Sequence, residues 1–198
     1  MNETNQTTHS KKAELIIEAA ENRASAARDN VDESLRNQER KVVRFSLSKE
    51  EYAIDAHFIH SIRDTEQDNL TIFPLPGVPD YIVGLINLRG EIISVINLKV
   101  FFSLHSENQS EITKIIIVEC ADMRVGFLVD SVHGIADFPL ADIQTSLSTI
   151  EKIKSDYLDG EYFQAQDSTN SEATVIGIID IETVLTAEME QRLQLSVH

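Results

Sequence analysis

YIVGLINLRGEIISVINLKVFF, residues 81–102, is the stretch that decides the fold. Two apolar runs rich in Ile, Val and Leu, at 81–88 and 91–98, flank the dipeptide Arg89-Gly90. This pattern predicts a β-hairpin, because a Gly at the second turn position supplies the positive φ that tight turns need. Arg89 is then placed at the hairpin tip. For an isolated exposed Arg, the simplest interpretation is that it only solvates the turn.

Short strands are predicted on both sides of this hairpin. Val43, Phe45 and Leu47 alternate with polar residues, which is typical of a half-buried strand. Further apolar runs that predict strands lie at 112–120, 123–132, 157–165 and 172–180. Many short strands separated by polar turns predict an all-β barrel or pair of barrels, with helices only at the ends.

Both ends of the chain carry helical patterns. Residues 11–40 contain no Gly or Pro, and apolar residues recur there three or four positions apart. These apolar residues are Ile16, Ala20, Ala24, Ala27, Val31 and Leu35. The stripe is narrow and rich in Ala, so two interpretations stay open: a partly frayed amphipathic tail, or a helix that docks on a partner or on the body of the protein. At the other end, Asp180 is predicted to cap a short helix that begins at Ile181.

Composition restricts the classes of function. The 198 residues carry 17 basic and 33 acidic side chains, a net charge of -16 at pH 7. This charge repels nucleic acid and anionic membranes, and it favours partners with basic or apolar surfaces. No run of about 18 apolar residues predicts a membrane span, and the polar start does not resemble a secretory signal. Because a single cysteine, Cys120, cannot form a disulfide framework, we expect a cytoplasmic protein.

The sequence offers little for catalysis or metal binding. His57 and His60, with Asp55 nearby, could bind a metal if this segment were helical. The sequence shows no third ligand at a familiar zinc spacing, which favours two solvated histidines. Cys120 lies within an apolar run, where cysteine is more often a buried small hydrophobe than a nucleophile. An enzyme is therefore the weakest of the functional hypotheses, and neither cofactor nor metal is expected.

Four blocks, in order along the chain, carry a resemblance to a known family. They are FSLSKEEYAIDAHFIHSIR at 45–63, LPGVPDYIVGLINLRGEIISVINLKVFF at 75–102, KIIIVECADMRVGFLVDSVHGI at 114–135 and DYLDG at 156–160. The most specific element is N-L-R-G at 87–90, which follows P-x-Y-I-x-G and precedes I-x-x-V-x-x-L. Over residues 42–185 the chain resembles the CheW family of chemotaxis coupling proteins.

The resemblance implies two five-stranded SH3-like β-barrels packed side by side, at about 41–106 and 112–180. A CheW-like domain at 41–198 would then follow a partly helical extension at 1–40 and end in a short helix at 181–194. The implied function is that of a non-catalytic scaffold, which couples the cytoplasmic tips of methyl-accepting chemoreceptors to the regulatory domain of a CheA-type histidine kinase. Such a protein is cytoplasmic and is recruited to membrane-associated receptor arrays without inserting into the membrane.

The resemblance also implies a set of partner-binding residues. Arg89 matches the receptor-coupling arginine of the family at the N-L-R-G turn, and Asn87 opens the same motif. Gly84, Ile59 and Ser61 match further receptor-contact or coupling positions.

Departures from the family pattern leave alternatives open. Asn97 stands where the family commonly has Asp, and Ser61 stands where an acidic residue can occur, so the class of receptor is not defined. The extension at 1–40 is longer than in a minimal member, which suggests an added contact or a role in dimerisation. The alternative functions are a CheW-like binding module in a non-flagellar pathway that controls pili or second messengers, and a detached kinase-regulatory-type domain.

Overall fold

A computed structural model describes residues 38–104, 114–121, 123–145, 153, 155–164 and 174–195, with side chains described up to residue 190. The predicted helical stripe near the amino terminus lies outside these residues. The strands are β1 Glu39–Leu47, β2 Glu50–Asp55, β3 Ile59–Asp64, β4 Ile82–Leu88, β5 Glu91–Asn97, β6 Lys114–Cys120, β7 Met123–Val129, β8 Ser131–Pro139, β9 Ile143–Gln144, β10 Leu158–Gln164 and β11 Thr174–Ile179. The helices are α1 Leu98–Phe101 and α2 Ile181–Leu195. The all-β fold with a C-terminal helix is confirmed.

The strands form two sheets within the compact unit of residues 40–138 and 142–198. A six-stranded sheet has the order β8-β1-β2-β11-β10-β9, and a five-stranded sheet has the order β3-β6-β7-β5-β4. The pairs β2–β11 and β5–β7 are parallel. One sheet thus has the five strands predicted for each barrel, and the other has six.

Sheet membership differs from the predicted barrel ranges of 41–106 and 112–180. Strands β1 and β2 join the strands that follow residue 131, whereas β3 to β7 form the other sheet. Strand β11 pairs in parallel with β2, and the register runs from Ile176 opposite Glu51 to Ile179 opposite Ile54. This pairing brings the last strand beside the β1–β2 hairpin. The apolar pattern predicts each strand but holds no information about this pairing between distant strands.

Alternate residues of single strands face different cores. A main core contains side chains from both sheets and from α2, including Phe45, Phe127 and Val184. A second core lies on the five-stranded sheet and contains Ile86, Ile93, Val95, Ile115, Ile117 and Leu128. A third lies on the six-stranded sheet and contains Val42, Ala53, Phe138, Ile176 and Ile178. Because strands such as β6 are buried on both faces, their sequences are continuously apolar rather than alternating.

Helix α2 begins as the sequence predicts. The backbone N–H of Thr183 donates to Asp180 Oδ1 at 3.1 Å, and its hydroxyl donates to Asp180 Oδ2 at 2.8 Å. Asp180 therefore caps the helix through its side chain. Ile181, Val184 and Leu185 are buried against the main core, whereas Met189 is 44% exposed. No helix in the described part of the chain is long and apolar enough to cross a membrane.

A buried ion pair links α1 to the β1–β2 turn. Lys99 Nζ lies 2.6 Å from Asp130 Oδ1, and both side chains are 8% exposed. The other oxygen, Asp130 Oδ2, accepts the backbone N–H of Ser48 at 2.7 Å. Since α1 directly follows β5 and Ser48 lies between β1 and β2, this contact joins the two sheets. Asn97 caps α1, because its side-chain oxygen accepts the N–H of Lys99 at 3.0 Å at a position where the family commonly has Asp.

Candidate partner-binding site

The β4–β5 hairpin has the tight turn that the sequence predicts. Leu88 and Glu91 pair across the strands, and the two turn residues between them have positive φ, 56° at Arg89 and 93° at Gly90. Positive φ at both central positions is the geometry of a type I′ turn, which suits the twist of a β-hairpin. The side chain of Asn87 stabilises the turn, because its Oδ1 accepts the N–H of Gly90 at 2.8 Å. Arg89 is thereby held exposed at the tip.

Arg89 carries a charge that the described part of the chain leaves unneutralised. Of the eight other Lys and Arg residues whose side chains are described, six form ion pairs with carboxylates, and Lys49 and Arg63 do not: the six are Arg40, Lys41, Arg44, Lys99, Lys114 and Arg124. Arg89 forms no ion pair with any described residue. In a protein with a net charge of -16, an exposed cation that the acidic surface does not engage is available to a partner.

An apolar surface lies beside the turn, on one face of the hairpin. Leu85 is paired with Ser94, and Asn87 with Ile92, so these four side chains share a face. Phe73 extends this face, because its backbone exchanges two hydrogen bonds of 2.8 Å with Leu85. Ile92 is 60% exposed and Phe73 is 58% exposed. We call these five residues the hairpin face; exposed large apolar side chains in such a patch indicate a binding surface.

The hairpin face continues into a groove beside α2, through Ser94. This groove has a volume of about 370 Å³ and is lined by Ser94, Met123, Arg124, Val125, Leu185, Glu188 and Met189. We call it the α2 groove. Two methionines line it, and Met adapts its shape to different apolar partners. The hairpin face and the α2 groove together offer a surface for an elongated apolar partner, with Arg89 at one end of the hairpin.

A network of charged side chains crosses the strand ends next to the turn. Arg124 on β7 donates to Glu119 on β6 at 2.6 Å and to Glu91 on β5 at 2.5 Å. His60 Nδ1 lies 3.3 Å from the same oxygen of Glu119. The hydrogen bond from Arg124 lowers the pKa of Glu119, and the bonds to Glu119 and Glu91 raise the pKa of Arg124. Glu119 and Arg124 therefore stay charged at neutral pH, and the hydrogen bond from Arg124 engages Glu91.

Gly84 has a structural role on β4. A Cβ at this position would lie 2.2 Å from the backbone oxygen of Phe73, and φ is +151°. Only Gly allows the Phe73 segment to approach this closely. Gly84 thus allows Phe73 to sit on the hairpin face, and the part of Gly84 in partner binding stays a prediction.

Replacement of Gly84 by Ala should destabilise the protein and displace Phe73. The added methyl group forces the Phe73 backbone away and strains the residue, at a cost of about 1–3 kcal/mol. Urea unfolding would measure this cost. Gly77→Ala is a matched control, because Gly77 also has positive φ, +73°, but a Cβ there would meet no atom within 4 Å. Equal destabilisation by the two substitutions would contradict the proposed close approach.

The other two predicted contact residues lie on β3, at the opposite end of the strand order from β4. Ile59 pairs with Val118 and packs, partly buried, against the main core. Ser61 pairs with Ile117, which belongs to the core of the five-stranded sheet. The hairpin therefore brings together Arg89, Asn87 and Gly84, and it does not include Ile59 or Ser61.

Sequence reasoning missed the two largest exposed apolar residues of the hairpin face. Phe73 lies in a proline-rich loop, where no strand pattern indicates that it pairs with Leu85. Ile92 belongs to an apolar run that suggests burial, although its pairing with Asn87 places it on the exposed face of the hairpin. Successive side chains of a strand point to opposite faces, so counting positions along β5 could have placed Ile92 on the face opposite Ile93.

The two histidines considered as metal ligands have separate partners. His57 Nδ1 lies 2.7 Å from Asp55 Oδ1, whereas His60 contacts Glu119. No cluster of three or more His, Cys, Asp or Glu that could hold a metal occurs among the described residues.

The environment of Cys120 disfavours reactivity. Burial raises the pKa of the Cys120 thiol, with Glu182 and Asp180 adding to the shift. A raised pKa disfavours the nucleophilic thiolate.

Comparison with known sequences and structures gives several matches to CheW proteins. The sequence model described as CheW-like domain matches residues 41–189. "Chemotaxis protein CheW" of Bacillus subtilis is 28% identical over 151 residues, which cover 76% of this chain and 90% of that protein. "Protein PilI" of Pseudomonas aeruginosa is 26% identical over 92 residues, which cover 46% of this chain and 52% of that protein. The crystal structure of the scaffolding protein TtCheW from Thermoanaerobacter tengcongensis has a TM-score of 0.62 and 29% identity, and the match covers 74% of this chain and 92% of that one.

Proposed function

The chain belongs to the CheW-like domain family, and on this premise we propose that it is a non-catalytic scaffold that couples chemoreceptors to a CheA-type histidine kinase. The observation that carries the proposal is the β4–β5 turn. It presents Arg89 without an ion-pair partner in the described part of the chain, directly beside the exposed apolar hairpin face. A tip that combines one free cation with apolar area suits a protein partner rather than a small substrate.

In this proposal the receptor contributes an amphipathic helical tip. Its apolar stripe lies on the hairpin face and extends toward the α2 groove, where burial of Phe73, Ile92 and Met189 supplies most of the affinity. The guanidinium of Arg89 binds a carboxylate or backbone carbonyls of the tip and thereby fixes its register. Ile59 and Ser61, on β3, are further candidate contacts of the receptor.

The kinase is the second partner. Its regulatory domain binds a part of the surface that the receptor leaves free, so both can be held at once and kinase activity follows the state of the receptor. The protein acts in the cytoplasm and reaches the membrane only through receptor arrays. The strongly acidic surface supports this assignment, because it disfavours direct contact with nucleic acid or anionic lipid.

A second candidate function is favoured by the similarity to Protein PilI. The same scaffold would then serve a non-flagellar chemosensory pathway that controls pili or second messengers. The two candidates differ in which receptor and kinase bind, and not in the chemistry of the hairpin face. Identification by mass spectrometry of the receptors and kinase that co-purify with the protein from its native cell distinguishes them.

Reconstitution with purified components tests the scaffold function. We expect the protein to bind a CheA-type kinase and a receptor cytoplasmic fragment encoded in the same genome, and to raise receptor-dependent kinase phosphorylation at least tenfold. Omission of the protein is the control. If kinase and receptor couple equally well without it, or if it binds neither, the proposed function is wrong.

A further inference from the structure

Glu91 has two possible cationic partners, and the structure shows it bound to one of them. Arg124 Nη1 donates to Glu91 Oε2 at 2.5 Å. Arg89, which is separated from Glu91 only by Gly90, has no carboxylate partner in the part of the chain that the structure describes. Both side chains of the Arg124–Glu91 pair are accessible, 31% and 45% exposed, so the pair can exchange partners in water.

Arg124 is itself held in place by the sheet. It lies opposite Glu119 across the β6–β7 pair, and its Nε donates to Glu119 Oε2 at 2.6 Å. The guanidinium therefore binds two carboxylates from two neighbouring strands with two different N–H groups, which fixes its orientation. Arg89 has no comparable anchor, because it projects from an exposed turn.

We propose that Arg124 is a positioning residue that sequesters the carboxylate of Glu91 and so keeps Arg89 free for a partner. Without Arg124, Glu91 becomes an unpaired carboxylate two residues from an unpaired arginine. Opposite charges at this spacing in a tight hairpin attract each other, and the guanidinium of Arg89 is then occupied. A partner's carboxylate must displace Glu91 before it can bind, which weakens the complex.

The inference rests on the proposed receptor contact of Arg89, and a rescue experiment tests it. Arg124→Met keeps an unbranched apolar side chain in the α2 groove but removes the cation. We expect this variant to bind the receptor fragment about five- to tenfold more weakly than the unmodified protein. The double variant Arg124→Met with Glu91→Gln should recover binding to within about twofold, because it has no carboxylate to occupy Arg89. A merely structural role of Arg124 predicts no recovery, since the second substitution restores no contact.

Two controls complete the design. Glu119→Gln keeps an amide oxygen that can accept the Nε–H of Arg124, so Arg124 keeps its orientation and its pair with Glu91, and receptor binding should be unchanged. Lys41→Met breaks another exposed ion pair, Lys41–Asp137, in the six-stranded sheet and should also have no effect. The ¹⁵N resonance of Arg89 Nε in the free full-length protein should change in Arg124→Met and return in the double variant.

The possible outcomes separate this inference from the proposed function. If Arg89→Glu abolishes receptor binding but Arg124→Met binds normally, sequestration of Glu91 is wrong and the receptor contact stands. If Arg124→Met weakens binding and the double variant does not recover it, the role of Arg124 is structural and the inference is also wrong. If Arg89→Glu binds the receptor normally, the proposed function of the turn fails instead, and the Arg89 resonance still reports whether Glu91 is captured.

Discussion

Arg89→Glu should weaken binding of the receptor fragment about thirtyfold or more and abolish receptor-dependent kinase activation, while the protein stays folded. Truncation of a buried Arg at the centre of an interface commonly costs about 2 kcal/mol or more, which corresponds to this factor. Reversal of the charge adds repulsion against a partner carboxylate. The fold should tolerate the change, because Arg89 is exposed and forms no ion pair with the described residues.

Matched variants define what this result means. Lys49→Glu reverses another exposed cation, which lies in the β1–β2 turn of the six-stranded sheet, and should leave coupling unchanged. Arg89→Lys keeps the charge but loses the planar fork, so an intermediate loss indicates bidentate recognition by Arg89. Isothermal titration with the receptor fragment, together with urea unfolding of each variant, supplies the measurements. A folded Arg89→Glu protein that couples normally would remove Arg89 from the site.

Local features of the fold could be predicted from the sequence. The hairpin at 82–97 and the cap of α2 by Asp180 follow from short-range rules, in which a Gly supplies positive φ and a carboxylate accepts the first N–H groups of a helix. These interactions involve residues only a few positions apart. The sequence therefore contains all the information that they require.

Long-range features could not be predicted in the same way. The parallel pairing of β11 with β2 joins residues more than 120 positions apart, and no local pattern specifies it. The position of Phe73 on the hairpin face depends on Gly84, because a side chain at Gly84 would collide with the Phe73 backbone. In the sequence, nothing distinguishes Gly84 from any other glycine in a strand. The grouping of Ile59 and Ser61 with Arg89 rests on the family resemblance, because no local pattern along the chain links β3 to the β4–β5 hairpin, and it stays a prediction.

The contribution of the Lys99–Asp130 pair to the stability of the fold could not be predicted from the sequence. In the sequence Lys99 follows the hairpin as an ordinary surface cation would, and Asp130 ends an apolar run. In the fold both side chains are 8% exposed, and Asp130 also accepts the N–H of Ser48. Two desolvated charges that neutralise each other are stable together. Removal of one leaves the other buried without compensation.

Lys99→Met should therefore destabilise the protein by about 3–5 kcal/mol, the cost of leaving Asp130 as an uncompensated buried charge. Asp130→Asn should cost a similar amount, because it leaves Lys99 unpaired. The double variant Lys99→Met with Asp130→Asn should be less destabilised than the sum of the two single variants, since no buried charge then remains. Urea unfolding monitored by far-ultraviolet circular dichroism measures all three free energies of unfolding.

The exposed pair Lys41–Asp137 supplies the comparison that makes this test specific. Its side chains are 60% and 44% exposed, and its N···O distance of 2.6 Å equals that of the buried pair. Water screens the exposed pair, so Lys41→Met should cost less than about 1 kcal/mol. Burial, rather than distance, then accounts for the difference between the two substitutions. If Lys99→Met were as mild as Lys41→Met, the link between α1 and the β1–β2 turn would not contribute to holding the two sheets together.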